Sequence, residues 1–80
     1  MTHIDYTVTT IDNETEECST AAYTDCIYAL GAAQDAIKNG AEDGRELVAL
    51  LVERHTEEDG SAVKLAPLYV ASTLGESHHL

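Results

Sequence analysis

Residues 3–11, HIDYTVTTI, alternate along the chain: Ile4, Tyr6, Val8 and Thr10 fall on one side, Asp5, Thr7 and Thr9 on the other. A period of two in β-branched and aromatic residues predicts a half-buried strand. DNETEE at 12–17 follows as a turn, because Asp and Asn side chains bond their own backbone and tolerate tight geometry. Cys18-Ser19-Thr20 then reads as a short returning strand. The period changes next. Tyr23, Ile27, Leu30 and Ile37 share one helical stripe, with Cys26, Ala33 and Ala36 beside them. Thr20 or Thr24 is placed to cap this helix, and Asp25 sits where the helix dipole favours an anion. Lys38 lies in the last turn and Asn39-Gly40 supplies a stop. Gly31 inside the helix costs about 1 kcal/mol relative to Ala, a cost that close packing on a sheet would explain.

After the connector AEDG at 41–44, the segment RELVALLVERHT carries six apolar residues in a row, Leu47 to Val52. Periodicity alone does not separate helix from strand there. The turn EEDGS and the second apolar run AVKLAPLYVAS make a hairpin the better reading. Pro67 cannot donate to a ladder, which puts the last strand at an edge or gives it a bulge. GESHHL at 75–80 reads as a disordered tail. The expected architecture is one α+β domain over residues 1–74: a single antiparallel sheet of three to four strands, one helix packed on one face, in the order ββαββ.

The third strand is apolar on both faces, Leu47, Ala49 and Leu51 on one and Val48, Leu50 and Val52 on the other. A single helix covers only one of them. Large uncovered apolar patches are rare on monomers, so a homodimer or a second protein is expected there, with Leu47, Ala49 and Leu51 as the oligomer interface.

Composition narrows the function. An 80-residue chain hides roughly 60% of its unfolded surface, enough for one thin core. No apolar run approaches the roughly 20 residues that span a bilayer, and the N-terminus shows no basic start followed by an apolar stretch. A cytoplasmic location is the expectation. Fifteen acids face four bases for a net charge of −11. That field repels nucleic acid and anionic membranes and draws basic proteins, so direct nucleic-acid or membrane binding is not expected. Two cysteines, Cys18 and Cys26, are too few for a disulfide framework and read as free thiols.

The acids collect in turns. If the first strand runs up and the short second strand returns, Asp12, Glu14, Glu16, Glu17, Glu42 and Asp43 share one end, and Glu57, Glu58 and Asp59 lie at the other. Without the second strand, the 12–17 and 57–59 groups meet instead. Five or six carboxylates at one end resemble a stretch of nucleic acid, in which one strand places a charge every roughly 3.4 Å. Arg and Lys accept carboxylate much as they accept phosphate. The competing readings are ordinary solvated turns and adaptation to high salt, the latter suggested by abundant acids, nine Thr, eleven Ala and two Lys.

Catalytic motifs are missing: no nucleophile elbow, phosphate-cradling glycine loop, zincin motif or paired CxxC. His3, His55, His78 and His79 match no metal-ligand spacing. Asp12-Asn13-Glu14 starts like a calcium loop but lacks its glycine and distal Glu. No catalytic residue, cofactor or metal is therefore assigned. With DNETEE, AEDG and TEEDG on a single-helix, single-sheet frame, the chain resembles, in size, acidity and layout, the small phage-encoded anti-CRISPR inhibitors of bacterial defence. That class has no shared motif and carries over no residue roles. The resemblance implies a non-catalytic protein that binds a basic protein or nucleoprotein effector complex on a surface meant for nucleic acid. The contacts would come from Asp12, Glu14, Glu16, Glu17, Glu42 and Asp43, with Glu57, Glu58 and Asp59 as a second patch.

Overall fold

The computed structural model describes residues 2–60, 63–75 and 77–79. Strands β1 (Thr2–Asp12) and β2 (Cys18–Tyr23) are followed by helix α1 (Cys26–Glu42), then β3 (Leu47–Glu57), β4 (Val63–Ser72) and the short β5 (Ser77–His79). All strands pair antiparallel in the order β2-β1-β3-β4-β5. The ββαββ frame with one helix holds. A fifth strand is added from the segment read as a tail: Ser77–His79 pairs with Tyr69–Ala71, while Glu76 and Leu80 lie outside the described residues. Because β2 and β3 run the same way on either side of β1, α1 crosses over β1 to connect them, and it packs mainly on β1 and β3.

The core under α1 is rich in alanine. Val8, Ala29, Ala33, Ala49, Leu51, Tyr69 and Ala71 form it, with Tyr6, Tyr23, Leu30, Ile37 and Leu68 packed at its margin. Leu51 is its one large side chain that is completely buried, at 1% exposure, among the described residues. The helix stripe therefore differs from the one read in the sequence. Tyr23 belongs to β2, Ile27 is 81% exposed, and the buried positions are Ala29, Ala33 and Gly40. Side chains this small let the helix axis approach the sheet closely. The bulky residues Ile27 and Tyr28 are turned outward at its start.

Gly40 shows how close the approach is. A Cβ built there would lie 2.4 Å from Leu47 Cδ1. The same construction at Gly31 meets nothing within 4 Å, so the packing role expected of Gly31 belongs to Gly40. For that reason Asn39-Gly40 does not end the helix. It continues to Glu42, and Gly44, at φ +71°, turns the chain. The N-cap is Asp25 itself, whose Oδ1 accepts from the backbone N–H of Ile27 at 2.8 Å and Tyr28 at 3.4 Å. A carboxylate bonds those free amides and complements the dipole at once, which neither Thr20 nor Thr24 would do.

Leu47, Ala49 and Leu51 lie buried beneath α1, so they are core and not an oligomer interface. The crossover places the helix on the odd-numbered side of β3, and the even-numbered side, Val48, Leu50 and Val52, is the one left open. On β4 the register slips between Leu51 and Val52: Leu51 faces Tyr69 and Val52 faces Pro67, leaving Leu68 without a partner on β3. This is the bulge that Pro67 predicted.

Candidate functional site: the acidic end

The acidic end is assembled by two loops. Asp12 organises the first. Its Oδ1 accepts from the N–H groups of Glu14 (2.9 Å) and Thr15 (3.2 Å), and its backbone bonds both ways across the turn, Asp12 N–H to the Glu17 carbonyl and Glu16 N–H to the Asp12 carbonyl, each at 2.8 Å. Thr15 Oγ1 accepts from Glu17 N–H at 3.3 Å. Glu16 sits at φ +61°, a left-handed position that costs a non-glycine residue on the order of 1 kcal/mol. The turn is thus a bonded scaffold from which Glu14, Glu16 and Glu17 project into solvent.

The second loop leaves the helix through Asp43, whose N–H bonds the Asn39 carbonyl at 3.1 Å, and Arg45 N–H returns to the Gly40 carbonyl at 2.8 Å. The two loops are joined directly: Asn13 N–H donates to the Glu46 carbonyl at 3.0 Å, and Asp12 faces Leu47 across the β1–β3 ladder. Behind them, Leu47 N–H donates to Thr73 Oγ1 and Thr73 N–H to the Leu47 carbonyl, both at 3.0 Å. The loop is therefore tied to β4 as well.

Asp12, Glu14, Glu16, Glu17, Glu42 and Asp43 consequently share one end of a molecule measuring 43 × 23 × 17 Å. This is the arrangement expected when β2 forms. Glu57, Glu58 and Asp59 lie at the opposite end, in the β3–β4 turn closed by Gly60 N–H to the Glu57 carbonyl at 2.8 Å. Two residues at the acidic end escaped the sequence reading. Glu46 is exposed, and its backbone carbonyl is the joint between the loops. Arg45 lines a shallow groove with Asp12, Glu17, Ser19 and Leu47 and is the single base among seven carboxylates there. The clue to both was the length of the connector, which the structure extends from Asp43 to Glu46. Asp12 differs from its neighbours: one carboxylate oxygen is committed to the turn, so it positions the others.

Away from this end, an ion pair lies on the open face. Arg54 and Asp5 face one another across β1 and β3. Arg54 Nε donates to Asp5 Oδ1 at 2.8 Å and Nη2 to Oδ2, a two-pronged pair. The guanidinium holds the Asp5 carboxyl below its usual value against the opposing effect of burial. On the helix side, His55 Nε2 contacts Glu53 Oε1. Burial first, then Glu53, Cys26 and Asp25, push the Tyr6 phenol above its ordinary value. Cys18 and Cys26 are both free thiols. Among the described residues no cluster of His, Cys, Asp and Glu is arranged to hold a metal, and no helix is long and apolar enough to cross a membrane.

No protein-family model, curated protein or solved structure matches the chain.

Proposed function

We propose that this chain is a non-catalytic binding protein that uses its acidic end to occupy a basic surface normally taken by nucleic acid, in the manner of the anti-CRISPR inhibitors it resembles. The observation that carries the reading is the Asn13–Glu46 backbone hydrogen bond. It makes two separate acidic loops into one display, held on the framework of β1, β3 and α1. A preorganised display gives up little side-chain and loop freedom on binding, and a basic groove with low-dielectric walls concentrates its field on such a target. Arg and Lys that cradle phosphates bind carboxylates with the same donors. Glu14, Glu16, Glu17, Glu42 and Asp43 make the contact, Asp12 holds them in place, and Glu57, Glu58 and Asp59 form a weaker, separate patch. The partner is a nucleoprotein effector complex in the cytoplasm of a bacterial cell.

The test is charge reversal. Immobilised wild-type chain retains a nucleic-acid-binding complex from bacterial lysate at about 0.1 M salt and releases it near 1 M, where the screening length falls to about 3 Å. The triple variant Glu14→Lys, Glu16→Lys, Glu42→Lys retains none of it. Equal retention by the two chains would sink the reading.

A further inference from the structure

We infer that the open face of the sheet is the seat of a second copy of this chain, the two sheets packing face to face. Strand register puts Val48, Leu50, Val52, Val70, Leu65 and Pro67 on that face, and Leu65 is 62% exposed. Nothing within the described chain covers them. The helix is on the other side, and β5 extends the sheet at the edge of β4 and does not cross its face.

Three observations point to a like copy. The first is charge. The chain carries −11, yet of the carboxylates on its strands only Asp5 points to the open side. Asp12, Glu53 and Glu57 point to the helix side. Asp5 is 7% exposed and matched by Arg54, so their charges cancel, and the face, which also carries His3, holds no unpaired carboxylate. A basic partner is drawn to the acidic ends. The open face is the part of the surface where two like-charged copies can meet without burying an unpaired carboxylate.

The second observation is the bulge. Without the one-residue slip at Leu68, strand alternation would carry Lys64 onto the open face and turn Val63, Leu65 and Pro67 away from it. With the slip, Lys64 faces His55 on the helix side, and Val63 and Leu65 face Thr56 and Arg54 on the open side. Bulges are devices that re-aim side chains, and this one clears a cation from an apolar surface. The third is size. The two longer extents of the whole molecule, 43 × 23 Å, bound the sheet side, with its polar β2 margin and loop ends, at about 1,000 Å², an upper limit that exceeds the about 800 Å² per partner of a standard interface. Aligned sheets pack about 10 Å apart through side chains of this type.

Sedimentation velocity tests the inference. From about 1 to 100 μM the wild-type chain is expected to move from 8.6 kDa to twice that mass, and the association should tighten in about 1 M salt as repulsion between the copies is screened. Leu50→Asp, which enters a two-fold interface twice, should weaken association by about 30-fold or more while leaving the circular dichroism of the monomer unchanged. Val70→Asp is the second variant if Leu50→Asp does not fold. The triple Lys variant of the acidic end should still dimerise, which separates this inference from the binding reading. A species of 8.6 kDa at every concentration and both salts overturns it, as does an Asp variant that folds and dimerises like wild type.

Discussion

The two faces of β3 are equally apolar in sequence and opposite in fate. On the covered side stand Leu47, Ala49 and Leu51, packed against Ala29, Ala33 and Gly40 of the helix. On the open side stand Val48, Leu50 and Val52, half-buried by their neighbours in the sheet. Neither hydrophobicity nor the size of their own side chains distinguishes them; the helix that packs on one of them does. Where the helix comes closest, its own side chains shrink to Ala and Gly, so the large buried side chains of its sealed contact, Leu51 and Tyr69, come from the sheet. The open side keeps medium-sized branched residues, which suit a flat surface meeting another flat surface. A small domain of this kind concentrates its close packing on one face of its sheet.

The sharpest way to break this comparison is to truncate one residue on each side. Leu51→Ala removes the most completely buried of the large side chains, at 1% exposure, and leaves a hole beneath α1, so it should cost about 3 kcal/mol. That loss should be the same at every protein concentration. Leu50→Ala should cost under about 1 kcal/mol in dilute solution and lower the melting temperature further only at concentrations where copies associate. Thermal melts at two protein concentrations decide the matter. Equal, concentration-independent losses for both variants would mean that the faces are not different in kind.

The second largest effect concerns the charge pair on the open face. Asp5→Asn should cost about 1.5 kcal/mol near neutral pH, a figure held down because Arg54 is 41% exposed and can turn to water. The pH dependence identifies the cause. The folded-state pKa of Asp5 is lowered by Arg54, so its contribution is fully present above the unfolded value of about 3.9 and is lost as pH falls through the lower folded value. The stability gap between wild type and Asp5→Asn should therefore be constant from pH 7 to about 5 and close below about 4. Urea midpoints across that range measure it, and a gap that persists at the acid end would assign the loss to packing.

These contrasts also show what the chain makes legible and what it does not. The strands around Val8 and Leu50 announce themselves by period and composition, and Pro67 announces its bulge. The joining of the two acidic loops follows from topology alone once Cys18–Tyr23 is granted as a strand. Which face of β3 the helix covers was not legible, because Leu47-Val48-Ala49-Leu50-Leu51-Val52 is symmetric in hydropathy. The deciding information lies in Ala29, Ala33 and Gly40, residues whose smallness carries no hydropathy signal. The cap was misplaced for a related reason: Thr20, Thr24 and Asp25 are all good caps, and only the end of β2 at Tyr23 selects among them. At the acidic end, Asp12 and Glu14 look alike in the sequence, but the turn geometry makes one a scaffold and the other a projecting charge.

The smallest effect isolates the close approach itself, by comparing two glycines of one helix. Gly31→Ala adds a methyl where nothing lies within 4 Å, so the helix gains the ordinary preference of Ala over Gly, about 1 kcal/mol. Gly40→Ala gains the same preference but drives the new methyl into Leu47, whose Cδ1 and Cγ would lie 2.4 and 3.0 Å away. Leu47 is buried and bonded at its backbone to Thr73, so it has little room to yield, and overpacking of this kind costs about 1–3 kcal/mol. Gly31→Ala should raise the melting temperature by roughly 5 °C, and Gly40→Ala should leave it level or lower it. The double variant should behave as the sum of the two, because the sites do not touch. If Gly40→Ala stabilises as much as Gly31→Ala, then α1 has space to lift away from β3. The small-residue seal that distinguishes the covered face from the open one would then not be what fixes the helix in place.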